Sequence, residues 1–387
     1  MNRFIIVFFV VILLLCGCSV LSGSEDTTTE SVFVPENPPL SPDCRHNDNI
    51  IRSDIVVWVD GLRLEACYDC GNGLGLGFRV QDLGERITST WTADALIWKG
   101  WGQSATLYPD LNQAIDGPIL SGQNDSFWLD SDGESWYLSL DTLSTEFGLT
   151  KMEDPENNQV FFSDIPDPAK LPTGVEIPIF RCHAVSDDIW GYEPLFLSPA
   201  TMELLFQTVI EEGCTSITFE DLSHVDQIKR PVMFTFDDGY QDNYTELFPL
   251  LKKYNIKATI FVITGSVGQP HHLTEEMIRE MQDSGLVSFQ SHTVTHSGLS
   301  EMDGEELEYE LGQSRLDLAR LTGKQPFVLS CPEARNSSLS AEYITKYYSY
   351  CVYRDAETYR TGSDPYAVPR YVMPRDLTLD TFKGYLD

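Results

Sequence analysis

From Val175 to the C-terminus, short apolar runs alternate with amphipathic stretches, and this alternation limits the fold more than any other feature of the chain. Glu176–Phe180, Val232–Phe236, Ala258–Ile263, Leu286–Phe289, Phe327–Ser330, Tyr350–Tyr353 and Val368–Met373 read as strands. Helical patterns separate them. Ser198 to Glu212 opens with a capping serine and Pro199 and closes at Gly213; Tyr244 to Tyr254 and Thr274 to Ser284 follow. Asp303 and Glu306 form a capping box for a long helix, in which Leu307, Leu311, Leu318 and Leu321 recur at helical spacing. Thr378 caps a last short helix. Repeated strand–helix units of this kind give an α/β fold with a parallel sheet, open or closed into a barrel.

Such folds gather their chemistry just beyond the C-terminal ends of the strands. There the sequence places Asp237-Asp238-Gly239 after one apolar run and His292 and His296 after another. Four residues apart, the two imidazoles are expected on one side of a helical turn, as two-histidine metal sites require. One carboxylate and two imidazoles leave open positions on a divalent ion such as zinc, with cobalt, nickel or manganese as alternatives. The second carboxylate remains free to move protons. A solvated turn and ordinary histidines are the competing readings.

Thr235-Phe236-Asp237-Asp238-Gly239, followed by Ser291-His292-Thr293-Val294-Thr295-His296, resembles motifs one and two of the polysaccharide deacetylase (NodB-homology, carbohydrate esterase family 4) family. The similarity spans roughly Val175 to Asp387 and implies a distorted (β/α) barrel. By resemblance, Asp237 is the catalytic base, and Asp238, His292 and His296 hold the metal. Ile177 to Val185 resembles the Y-H-x-V element of a circularly permuted branch, which makes His183 the candidate acid; a buried structural histidine is the competing reading. Motif three departs from the family. Cys331-Pro332-Glu333-Ala334 stands where the branch has Y-P-Y-G, so Pro332 and Glu333 take the oxyanion and substrate-facing position. Arg335 or Arg370 is the candidate for orienting Asp237, although a structural ion pair explains Arg370 equally well. The resemblance implies removal of N-acetyl groups from an amino-sugar polymer. A catalytically impaired glycan-binding protein and an O-acetyl esterase are the alternatives.

The chain begins with Arg3, an apolar run from Phe4 to Leu15, and Leu15-Cys16-Gly17-Cys18, which resembles a bacterial lipobox. That run is shorter than the roughly 20 residues of a membrane span. The expectation is a signal at 1–17, lipid on Cys18, and a tether at 18–52 holding the protein to the extracellular face of the bacterial cytoplasmic membrane. Residues 53–163, with strand-like runs, a helical Leu140 to Phe147 and a final strand, resemble the copper amine oxidase N-terminal-like domain, a small α+β module. Its tryptophans Trp91, Trp98, Trp101 and Trp128 are candidates for stacking on sugars or for a core. A proline-rich linker at 164–174 leads into the barrel domain at 175–387. With seven cysteines left after processing, at least one thiol stays unpaired or bridges to another chain, and Cys67 and Cys70 read as a disulfide or as buried thiols. Acidic residues outnumber basic ones by 59 to 26, a formal charge of −33 that repels nucleic acid and disfavours phosphate binding.

Overall fold

The computed structural model describes residues 51–64, 66–69, 76–91, 96–107, 127–129, 136–334, 337–355 and 357–386. The leader, Cys18, Cys44, Cys70 and Arg335 lie outside them. Among the described residues no helix is long and apolar enough to cross a membrane.

Seven parallel strands close into a ring, which resolves the open-or-closed question in favour of a barrel. They are β1 (Ile179–Cys182), β2 (Pro231–Phe236), β3 (Ala258–Val262), β4 (Val287–Ser291), β5 (Val328–Ser330), β6 (Tyr350–Asp355) and β7 (Val368–Val372). Each pairs with its neighbour in sequence, and β7 pairs back onto β1. The connections carry helices α1 (Pro199–Glu211), α2 (Phe248–Tyr254) and α3 (Glu275–Asp283). They continue with α4 (Gly304–Leu307), which runs through a π-helical stretch at Glu308–Gln313 into α5 (Ser314–Thr322), and then with α6 (Ser338–Tyr347) and α7 (Leu379–Leu386). Ser198, Thr274 and the Asp303/Glu306 box cap their helices as the sequence suggests.

The strands alternate with period two. On β2, Phe234 and Phe236 join the apolar layer beneath the helices, while Met233 belongs to a second apolar cluster with Ile179, Phe261, Val352 and Val368. Thr235 and Asp237 therefore share the face of Met233, one and two steps nearer the C-terminal end. This places an apolar plug toward one end of the barrel and a polar layer toward the other.

The residues before the barrel form antiparallel sheets and one short helix, Leu140–Thr145, around a core that includes Val57, Val59, Phe78, Leu143 and Phe162. Trp98 belongs to this core at 2% exposure, and Trp101 packs edge-on against Phe147. Both are structural, not sugar platforms; the side chains of Trp91 and Trp128 are outside the description. Arg320 of α5 bonds Asp154 at 2.6 Å, and the Gln325 side chain donates to the carbonyl oxygens of Thr150 and Phe161. These contacts sit near the N-terminal ends of β5 and β6, at the rim opposite the charged strand ends. The described residues contain no disulfide among themselves, and Cys182, Cys214 and Cys351 are thiols.

Candidate active site

Asp237 and Asp238 leave β2 in different directions because Asp238 is left-handed, at φ 75°. A non-glycine residue pays about 1–2 kcal/mol for that conformation, and such strain tends to collect at functional sites. The turn separates the two carboxylates. Asp237 stays inside the barrel, where Arg370 of β7 grips it bidentately: Nη1 donates to Oδ1 at 2.7 Å and Nη2 to Oδ2 at 2.9 Å. Arg370, only 1% exposed, also donates to Thr235 Oγ1 and Ser330 Oγ. Burial works to raise the Asp237 pKa, but the charges of Arg370 and His292 outweigh it and hold the group well below the ordinary carboxylate range. This geometry accommodates both readings of Arg370, an orienting partner of Asp237 and a structural ion pair.

Asp238 turns toward the histidines. Its Oδ1 lies 3.4 Å from His292 Nε2 and 3.6 Å from His296 Nε2. The ligand atoms of all three residues fall within 4.8 Å of one another. A tetrahedral ion with bonds of ~2.0–2.1 Å holds its ligands ~3.3 Å apart, so the set fits zinc with little adjustment. His292 Nδ1 lies 2.7 Å from the Ser330 carbonyl. A carbonyl only accepts, so Nδ1 carries the proton and Nε2 presents its lone pair, the usual outer support of a metal histidine. Burial pushes the His292 pKa down, yet the Asp238 and Asp237 carboxylates reverse that and raise it. Burial also lowers His296, and neighbouring His292 lowers it further.

The helical turn expected between the histidines is absent. Residues 292–296 form a loop in which Thr293 (φ 66°) and His296 (φ 64°) are left-handed. The turn is pinned instead by Glu310, a buried carboxylate in the π-helical stretch. Glu310 accepts from the backbone N–H groups of Val294 and Thr295, each at 2.9 Å, and from the Thr295 hydroxyl at 2.6 Å. Sequence reasoning did not single out Glu310. Its signal was an acid three residues after Leu307, inside an otherwise apolar helical stripe.

His183 follows β1. Its Nε2 lies 4.0 Å from Asp237 Oδ2, and its side chain is 14% exposed. Burial lowers its pKa, partly opposed by Asp237 and Asp238. The segment is held from below: Asp242 Oδ1 accepts from Val185 N–H at 2.8 Å, and Asn243 Nδ2 donates to the His183 carbonyl at 3.0 Å. Cys182 is a buried thiol, its pKa pushed up chiefly by burial. After β5, Pro332 is buried while Glu333 is exposed and left-handed at φ 56°. The Glu333 carboxylate reaches toward Gly298, where an added Cβ would lie 3.1 Å from its Oε2. The replaced motif thus puts an acid on the His296 side of the site.

Residues 224–350 match the profile of the polysaccharide deacetylase family. A Bacillus subtilis (strain 168) protein named for polysaccharide deacetylation, YxkH, is 35% identical over 173 residues, which are 43% of this chain and 58% of that one. A Staphylococcus aureus poly-β-1,6-N-acetyl-D-glucosamine N-deacetylase is 39% identical over 84 residues, 20% of this chain and 29% of that one. The chain thus spans less than two thirds of the length of either relative. Among solved structures, a Streptococcus pyogenes deacetylase with acetate bound superposes at TM-score 0.52 and 23% identity, over 56% of this chain and 100% of that one. A Bacillus cereus polysaccharide deacetylase gives 0.53 at 20% identity, over 78% and 99%. At such identities these structures speak to the fold alone. Residues 224–350 are thus similar to the polysaccharide deacetylase family, and the barrel around them has the fold of the two solved deacetylase structures.

Proposed function

We propose that the protein is a metal-dependent hydrolase that removes N-acetyl groups from an amino-sugar polymer, releasing acetate and a free amine. The observation that carries this reading is the juxtaposition of two units. One is the Asp238–His292–His296 cluster, whose ligand atoms lie within 4.8 Å of one another. The other is Asp237, held by Arg370 and 4.0 Å from His183. Asp238, His292 and His296 hold the ion, zinc or a related divalent metal. When bound, such an ion polarises a carbonyl and lowers the pKa of water. Asp237 accepts a proton at its carboxylate while Arg370 keeps it aligned. His183 carries a proton at Nε2 for the departing amine. The lowered pKa of His183 makes its protonated form a readier donor.

The reading extends to the rest of the chain on sequence alone. Residues 53–163 form a copper amine oxidase N-terminal-like module, and the leader with lipid on Cys18 places the protein at the outer face of the bacterial cytoplasmic membrane. Incorporation of labelled fatty acid, abolished by Cys18→Ser, tests the anchor.

The central test couples metal content to acetate release on a panel of N-acetylated glycans, with Asp237→Asn alongside the parent chain. The expected result is about one metal per chain in both proteins and a loss of ~10²–10⁴ in turnover in the variant. No acetate from the parent, or equal rates in both, sinks the deacetylase reading. A second reading, a metal-holding glycan-binding protein of little activity, is favoured by Glu333. A negative side chain beside a developing oxyanion opposes catalysis. Activity that appears only in a Glu333→Tyr, Ala334→Gly double variant supports that reading for the natural chain.

A further inference from the structure

Asp237 and His183 follow different strands, yet one short segment registers them against each other. Asp237 leaves β2, and the chain then runs through Gly239 to Asp242 and Asn243 before the winding that leads into α2. Three bonds from this segment reach the backbone around His183. The Asp237 N–H donates to the Cys182 carbonyl at 2.9 Å. Asn243 Nδ2 donates to the carbonyl of His183 itself at 3.0 Å, and Asp242 Oδ1 accepts from the Val185 N–H at 2.8 Å. A fourth bond, from Asn243 Nδ2 to Asp242 Oδ1 at 3.0 Å, braces the two side chains against each other. The main chain on both sides of the His183 imidazole is therefore tied to the stretch that carries Asp237.

The Asp242–Asn243 pair is not built as stability alone would build it. Both residues are buried, and Asp242 Oδ2 and Asn243 Oδ1 meet no donor among the described residues. Buried polar atoms in folded proteins nearly always find a partner, and a bare one points to a constraint other than stability. Here the constraint is direction: Oδ1 of one residue and Nδ2 of the other are aimed at the His183 segment, and the remaining oxygens go without. Asn243 also opens a π-helical turn, Asn243–Leu247, a rare winding that recurs at functional sites.

We propose that Asp242 and Asn243 are positioning residues, which act through the backbone around His183 to set its imidazole opposite Asp237. The role of the imidazole as acid rests on the deacetylase reading above. His183 Nε2 stands 4.0 Å from Asp237 Oδ2. A misplacement of about 1 Å at such a group is enough to slow a reaction ~10²-fold.

Two substrates separate misplacement of the acid from general damage. When the C–N bond of an acetamide breaks, the departing nitrogen takes a proton, which His183 Nε2 supplies; 4-nitrophenyl acetate instead loses a stable phenolate without one. In the full chain, Asp242→Ala and Asn243→Ala are each expected to slow acetate release from an N-acetylglucosamine oligomer ~10–100-fold and ester cleavage by less than about threefold. Asp242→Asn, which keeps the acceptor for the Val185 N–H, returns oligomer turnover to within about threefold of the parent. Histidine-selective NMR supplies a readout free of turnover. The His183 signal, identified by its loss in His183→Gln, shifts in both alanine variants and stays in place in Asp242→Asn. The proposal needs the split between substrates and the shifted signal together; equal slowing of both substrates, or an unmoved signal, overturns it. Where neither alanine variant folds, Asn243→Asp, which keeps the shape and removes the donor, is held to the same pattern. A parent chain that releases no acetate from the oligomer removes the deacetylase reading alone. The His183 signal then decides the placement, and a signal unmoved in the variants removes that too.

Discussion

The rim of the barrel over β2, β4 and β7 differs from the rim over β5 in how its side chains are held. Over β2 and β7, Asp237, Arg370 and Thr235 are buried, and each is bonded to at least one of the others. Over β4, His292 is fixed through Ser330 and the following loop through Glu310. Beyond β5 the chain offers Glu333, exposed and left-handed. Where a side chain is locked by several partners from different strands, replacing it breaks all of them together. Where it projects into solvent, sequence can drift with little structural penalty. Of the departures from the resembled motif, Glu333 falls on an exposed position and Cys331 on a buried one, while the candidate metal and proton-handling residues Asp237, Asp238 and His292 are all buried.

Removing Arg370 is the strongest way to test that contrast. Arg370→Met leaves Asp237 buried and unpaired and is expected to cost about 3–5 kcal/mol, measured as a shift in the urea midpoint. A loss under about 1 kcal/mol would place Arg370 with the tolerant rim.

Asp242 sharpens the contrast through pH. Burial raises its pKa to about 6 from 3.8, so the folded state prefers its protonated form. Stability from this group is complete below pH 3.8 and is lost as pH rises through about 6. Asp242→Asn keeps the acceptor for Val185 N–H and Asn243 and cannot ionise. It is therefore expected to be the more stable protein at pH 8 by about 1–3 kcal/mol, with the gap closing at pH 4. Thermal unfolding at the two pH values checks this, and a gap independent of pH contradicts it.

Glu310→Gln loosens the histidine loop without touching a candidate ligand. Metal affinity, read by competition with a chelator, should fall ~10–100-fold; unchanged affinity would show that the loop holds its shape unaided. The smallest effect belongs to Glu333→Gly, which relieves a left-handed side chain and is expected to shift stability by less than about 1 kcal/mol.

Much of the barrel and of the site could be read from the residues, for reasons that can be named. Val232 to Phe236 reads as a strand because it is apolar on both faces, and the acids that follow must then emerge at a strand end. The two-histidine spacing led to a cluster in which both imidazoles lie near Asp238, but to the wrong backbone. Helical spacing assumes regular φ and ψ, and Thr293 and His296 take left-handed values that side chains at those positions do not announce. The opposed roles proposed for Asp237 and Asp238 rest on family resemblance. The different surroundings of the two carboxylates, Arg370 for the first and the histidines for the second, needed coordinates. Glu310 escaped because its partners are backbone N–H groups on a distant loop, and no residue type marks those.

The ring of seven strands has a consequence for how this protein behaves at high concentration. A closed barrel offers no unpaired strand, so it has no template onto which a second chain can add. Among the described residues, open sheet margins longer than two residues lie only in the part before the barrel, and one of them, Thr150–Asp154, bears Lys151 and Glu153 joined at 2.7 Å. Charged side chains at such a margin discourage strand-to-strand addition. Strand-to-strand association, where it occurs, is therefore expected to begin in that N-terminal part.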